Sequence, residues 1–218
     1  MSGLGRRDLG VGLGALALSA CLPPRTASGQ VSSQKGGTLN VGLPSDSKSM
    51  DPIYSVQFTE RQVLYLLFNT LVRYGPDFSI HPELAESWRV EDGGKRVTFK
   101  LRQGVDFHDG TPFDAAAVKW NIDRRLDPAA ASPQHDQLAP IVAAVEVVDG
   151  RTVAFVLKAP YAGLLSLLGE RPGFMLSPTA AERLGKDFGN APVGSGPFVF
   201  KEWVRGSHLT VERNSKYW

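Results

Sequence analysis

LAESWRVEDGGKRVTFKLRQGVDFHDGTPFDAAAVKW, residues 84–120, packs more readable structure into few residues than any other stretch of the 218-residue chain. Ser87, Trp88, Arg89 and Val90 form a short strand-like run. Glu91, Asp92, Gly93 and Gly94 read as a turn, because two glycines supply the positive φ angles that a tight reversal needs. Val97, Phe99 and Leu101 then alternate with Thr98, Lys100 and Arg102, the pattern of a half-buried strand. His108, Asp109, Gly110, Thr111, Pro112 and Phe113 make a second turn. Asp114 stands as N-cap of a helix over 115–125, with Ala117, Val118 and Ile122 at helical spacing. The residues spell a hairpin, a tight loop and an amphipathic helix, and by themselves imply no chemistry.

Upstream, residues 38–43 (TLNVGL) alternate as a strand, and residues 44–52 break it into a loop. Residues 58–72 (FTERQVLYLLFNTLV) predict one helix, with Val63, Leu64, Leu67, Phe68 and Leu71 as its buried stripe. Downstream, the helix ends near Asp127 and Pro128, and residues 129–137 form a polar loop. Residues 141–148 and 151–158 flank Asp149 and Gly150 as a hairpin, with Val153, Phe155 and Leu157 on one face. A short helix over 162–168 follows, then a helix opened by Ser177 and Pro178 that runs to about Leu184. Residues 198–203 and 208–213 read as a final strand pair. Trp88 and Trp120 lie on regular elements with apolar neighbours and read as core.

With 42% apolar and 21% charged residues the composition is that of a globular protein, and a net charge of +2 gives no case for nucleic acid or an anionic membrane. The first 20 residues read as a signal peptide: Arg6 and Arg7 supply the positive region and residues 9–20 an apolar run too short for a permanent span. Leu18, Ser19, Ala20 and Cys21 read as a lipobox, with Cys21 lipidated after cleavage. The other reading makes Cys21 an incidental thiol with cleavage near residue 29. Arg6, Arg7, Asp8 and Leu9 also resemble a twin-arginine signal, so the export route stays open. Residues 21–37, rich in Pro, Ser, Gln and Gly, are expected to be a disordered tether. Residues 38–218 form the folded part.

The 84–120 stretch resembles the signature of extracytoplasmic solute-binding family 5, whose members serve bacterial peptide and nickel ABC importers. The family's L-A-x-S-W segment, its D-G turn, its strand ending in L-R, its G-V-x-F-H-D-G-x-P-F loop and its A-x-x-V helix are all present here. GGTLNVG before the Asp51–Pro52 turn, PVGSGPF at 192–198 and ERN followed by Tyr217 and Trp218 extend the likeness from Gly36 to the last residue. The resemblance implies a mixed α/β lobe of the type II periplasmic-binding-protein kind, carrying an extra β-hairpin and helix subdomain. In the family, Y-W leads into a second lobe that this chain lacks, so it reads as an incomplete N-terminal lobe or a half-length homologue. It also implies a receptor, outside the cytoplasmic membrane, that binds a short peptide or related solute and delivers it to ABC permease subunits. A sensor or chaperone on the same fold, or a binder of chelated nickel, glutathione or an opine, is the alternative. The membrane would be touched only through a lipid on Cys21.

In the family the loop after the first strand lines the ligand cleft, which places Ser45 and Asp46 as candidate contacts. Tyr54 and Phe58 would supply an aromatic wall, the plain alternative being helix-start packing. Arg171, between Glu170 and Pro172, carries a guanidinium suited to gripping a carboxylate, and some family members present an arginine to ligand at this place. Its plain alternative is a surface pair with Glu170. Ser195, in Gly-Ser-Gly, lies outside any G-x-S-x-G elbow. Its glycines suit either a tight chain crossing or close approach to ligand. The pairs His108–Asp109 and His135–Asp136 lack metal-ligand spacing, and His108 is expected to hydrogen-bond locally to backbone. The sequence offers no nucleophile–base set, no phosphate-binding loop, and no cofactor or metal site, so no enzyme is expected.

Overall fold

Alternation of Val97, Phe99 and Leu101 with polar residues turns one face of a strand inward, and the architecture grows from that face. The computed structural model describes residues 36–218. In chain order its elements are α1 (Phe58–Leu67), β1 (Val72–Tyr74), β2 (Ile80–Pro82), β3 (Ala85–Glu91), β4 (Arg96–Leu101), α2 (Ala115–Leu126), α3 (His135–Leu138), β5 (Val142–Asp149), β6 (Thr152–Leu157), α4 (Leu164–Leu168), α5 (Pro178–Leu184), β7 (Phe198–Val204) and β8 (His208–Arg213). Strands β3, β4, β6 and β5, in that order, form one antiparallel sheet. The β3–β4 turn runs through Asp92, Gly93 and Gly94, all at positive φ. Strand β6 sits inside because it is apolar on both faces, with Val153, Ala154, Phe155 and Leu157 all buried. Strand β5 takes the edge, where Glu146 and two register shifts discourage further pairing.

Helix α2 covers the inner face. The Asp114 carboxylate accepts the Ala117 N–H at 2.8 Å, and Ala117, Val118 and Ile122 are buried. Val97, Phe99, Leu101, Val145, Val153 and Phe155 meet this helix in the larger core, where the Phe99 and Phe155 rings stand edge to face at 5.3 Å. A second core gathers Met50, Ile53, Leu64, Leu67, Phe68, Phe174 and Phe188 between α1 and α5. Trp88 and Trp120 lie at the rims of the two cores, partly exposed, and the Trp120 indole N–H donates to Glu182.

Several expectations are corrected. Residues 38–43 form no strand: among the described residues nothing pairs with their backbone groups, and an alternating sequence alone cannot satisfy them. Helix α1 stops at Leu67, not at residue 72, because the Leu67 carbonyl accepts the Gly196 N–H at 2.9 Å and Phe68 turns extended. Leu71 and Val72 then enter the turn and the β1–β2 hairpin, which the sequence reading left out. Helix α4 is five residues, shorter than expected, and the polar loop after α2 contains the single turn α3.

Candidate functional site

The loop before α1 is built by two buried carboxylates. Asp51 accepts the Ile53 N–H and receives both nitrogens of Arg124, at 3.1 and 2.7 Å. That fixes the turn Pro52–Tyr54 and leaves Tyr54 outward, 44% exposed. Glu60 accepts the backbone N–H groups of Lys48, Val56 and Gln57 at 3.0–3.1 Å, which folds the segment back over the helix start. Phe58 emerges there, 60% exposed, with the Arg61 guanidinium 5.4 Å from its ring centroid.

Arg171 reaches the same strip. Its Nη2 donates to the carbonyls of Val56 and Gln57, each at 3.3 Å. Glu170 is taken by Arg61, at 2.8 Å, and the alternative Glu170–Arg171 pair does not form. Three buried polar atoms here have no hydrogen-bond partner among the described residues: Ser55 Oγ, Gln57 Oε1 and Arg171 Nε. Buried polar groups are nearly always paired, with protein or with ordered water, so these three stand out. Tyr65 closes one side, its hydroxyl on the Gly169 carbonyl and its pKa pushed up to about 12, first by burial and then by the Glu170 charge. Tyr54 also borders a hollow of about 520 Å³ with Arg124, Glu182 and Lys186.

The structure thus brings Arg171 onto the backbone between the exposed Tyr54 and Phe58, while the other expected residues are engaged with protein groups. The Ser45 hydroxyl pairs with that of Thr59 at 2.9 Å, at the start of α1. Asp46 is exposed, yet both its oxygens are occupied by the β7–β8 hairpin: Oδ1 by the Trp203 indole N–H at 3.1 Å and Oδ2 by the Gly206 N–H at 2.7 Å. Ser195 is fully buried and donates to Asn69 Oδ1 at 3.3 Å. Its flanking glycines permit a chain crossing: a Cβ at Gly194 would lie 2.1 Å from the Leu67 carbonyl oxygen. Cys21 and the leader lie outside the described residues.

His108 holds that crossing from the other side. Its Nδ1 accepts the Gly194 N–H at 3.3 Å and its Nε2 faces the Gly196 carbonyl at 3.0 Å. The bonds go to backbone as expected, but to a segment over eighty residues away and not to its own turn. Burial holds this imidazole below its ordinary pKa. Asp109 accepts the Ser177 hydroxyl and the Thr111 hydroxyl, both at 2.6 Å. Among the described residues no three acidic, His or Cys side chains gather in a metal-holding group, and no helix is long and apolar enough to cross a membrane. The sequence reading missed Arg61, whose place one helical turn after Phe58 was the available signal. It also missed Trp203 and Arg205, whose relevance depends on a contact between residues more than 150 positions apart.

Residues 79–218 match the family described as bacterial extracellular solute-binding proteins, family 5 Middle. The glutathione-binding protein GsiB of Escherichia coli strain K12 is 34% identical over 178 residues, 82% of this chain and 35% of that protein. The binding protein AgaA from A. tumefaciens R10, solved with agropinic acid, superposes with a TM-score of 0.75 at 33% identity, over 80% of this chain and 35% of that one. DppA from Helicobacter pylori, solved with the peptide STSA, gives 0.73 at 29% identity, over 80% and 38%. The chain therefore spans about a third of the length of the relatives it matches. It belongs to the bacterial extracellular solute-binding proteins of family 5.

Proposed function

We propose that this chain forms one wall of the ligand cleft in an extracytoplasmic receptor of an ABC importer, with Tyr54, Phe58 and Arg171 facing the ligand. The observation that carries the reading is the strip at residues 54–58, where two exposed aromatic rings flank three unpartnered buried polar atoms. Aromatic walls with a few fixed polar groups are what small-ligand clefts use. Glutathione, agropinic acid and a tetrapeptide, named with the relatives, are all small organic acids. Arg171 supplies a cation for such a carboxylate, and Ser55 and Gln57 supply polar groups for its amides or hydroxyls. No catalytic step is part of this reading. Residues 1–20 would direct export, and Cys21, once lipidated, would hold the receptor at the membrane beside its permease.

Calorimetry of the full-length protein with glutathione, Ser-Thr-Ser-Ala and agropinic acid tests the reading. At least one should bind with a Kd of about 10 μM or tighter. Arg171→Ala and Phe58→Ala should each weaken that ligand by about tenfold or more, as loss of a charge-assisted bond or a buried ring contact does. Full affinity in both variants would remove the 54–58 strip from the site.

A further inference from the structure

The tip of the β7–β8 hairpin is fastened to the loop that opens the candidate site. Besides the two bonds that Asp46 accepts from this hairpin, Arg205 Nη1 donates to the carbonyls of Ser47 at 3.1 Å and Lys48 at 3.0 Å. Its Nη2 donates to Asn190 Oδ1 at 2.7 Å. The guanidinium carbon lies 3.4 Å from the Trp203 ring centroid, so the cation is stacked as well as bonded. The planar fork of arginine serves three acceptors and an aromatic face at once, which an ammonium group cannot do. Residues 45–48 have no regular secondary structure of their own. Among the described residues their other tethers to the rest of the fold are the Ser45–Thr59 contact and the Lys48 N–H on Glu60.

We propose that Arg205, Trp203 and Asp46 form a strap that positions residues 45–48 for binding, and that Asp46 acts as the strap's anchor and makes no ligand contact of its own. The inference rests on the reading of residues 54–58 as ligand-facing, a strip whose following helix start holds residues 45–48 through the Ser45–Thr59 and Lys48–Glu60 bonds. Both oxygens of Asp46 accept from the hairpin, Oδ1 also taking the Ser47 N–H at 2.8 Å, and the Gly206 N–H, ahead of Trp203, Ser47 and Arg205, holds the carboxyl below the usual range. An ionised anchor of this kind keeps the loop in one conformation. Without it the binding-competent conformation is only a fraction of the ensemble, and apparent affinity falls by that fraction.

Hydrogen exchange and calorimetry on the full-length protein, with glutathione as probe, test the strap. Arg205→Ala and Asp46→Ala should both speed exchange in residues 45–50 and leave the β3–β4 hairpin unchanged. Both should weaken glutathione by about tenfold, the loss expected if the competent loop drops to a tenth of the population. Asp46→Asn, which keeps an acceptor oxygen, should lose less. Lys201→Ala, on the same hairpin but paired outward with Glu212, should match the unaltered protein. Unchanged exchange at 45–50 in Arg205→Ala overturns the strap. Faster exchange with full affinity keeps the strap but overturns its role in binding. An affinity loss in Asp46→Ala without faster exchange would instead make Asp46 a ligand contact. The two readings fail differently. Glutathione that protects other segments but leaves 54–58 unprotected sinks the ligand-facing reading and the affinity half of the inference, while exchange in Arg205→Ala still decides the strap.

Discussion

His108 shows how much one ring can hold. Its Nδ1 must be unprotonated to accept the Gly194 N–H, and burial already disfavours the charged imidazole. The folded pKa is thus depressed below the ordinary 6.5, while the unfolded chain keeps the ordinary value. Above that value both states are neutral and stability is at its full level. As pH falls through it the unfolded state takes up a proton that the folded state resists, and stability is lost until the folded pKa is passed. Urea midpoints should therefore drop between about pH 7 and pH 5, more steeply than in His108→Gln, which has no proton to gain. Equal slopes would show that the ring does not titrate with folding. Asp109 does not confuse the window, because its pKa lies below the ordinary 3.8, its hydrogen bonds from Ser177 and Thr111 outweighing burial. Side-chain roles at this scale were only partly legible. A backbone-bonding His108 could be read from its turn, but its partners could not. From sequence Asp46 reads as a ligand residue because the family resemblance puts its loop at the cleft, and its donors Trp203 and Gly206 lie more than 150 positions away.

At the scale of elements, local pattern succeeded wherever the structure is decided locally. The alternation at 97–102, the Asp114 cap and the turns at Gly93 and Gly150 each encode their element within a few residues, and both hairpins and α2 follow. The order of the sheet was also present, unread, in the contrast between apolar β6 and the charged, bulged β5. The end of α1 was not encoded locally at all. Residues 68–72 are as apolar as the helix before them, and what stops it is a crossing segment 126 residues on from Asn69. Gly194 and Gly196 make that crossing possible, since a Cβ at either would lie within 2.5 Å of a backbone oxygen of α1. Gly194→Ala should therefore cost about 3 kcal/mol or more, the upper range for overpacking, because backbone cannot yield as a side chain can. Urea denaturation measures the loss. A midpoint within error of the unaltered protein would mean that the crossing is looser than the distances require.

At the scale of the whole molecule, the apolar residues that stay outside matter as much as those buried. Tyr54, Val56, Phe58, Tyr65 and Leu66 are each 37–60% exposed, and all belong to the loop before α1 or to the outer side of the helix itself. So many exposed apolar side chains on one short segment are unusual on a monomer unless something is bound there. Ligand is one occupant for the Tyr54–Phe58 end. Leu66, a full two turns further along the helix, lies beyond any small solute held there, so a protein surface is the better match for that end. The 218-residue chain on its own should accordingly self-associate as concentration rises, with enhanced binding of a hydrophobic dye. Light scattering after size exclusion reads the first and fluorescence the second. Replacing both Phe58→Ser and Leu66→Gln removes one apolar group from each end of this surface without touching the buried Val63, Leu64 and Leu67, and should return the chain to a monomer with its melting temperature little changed. If the unaltered chain is instead monomeric with one sharp, concentration-independent melt, the patch is no association surface, and the solvent-facing side of α1 is complete as it stands.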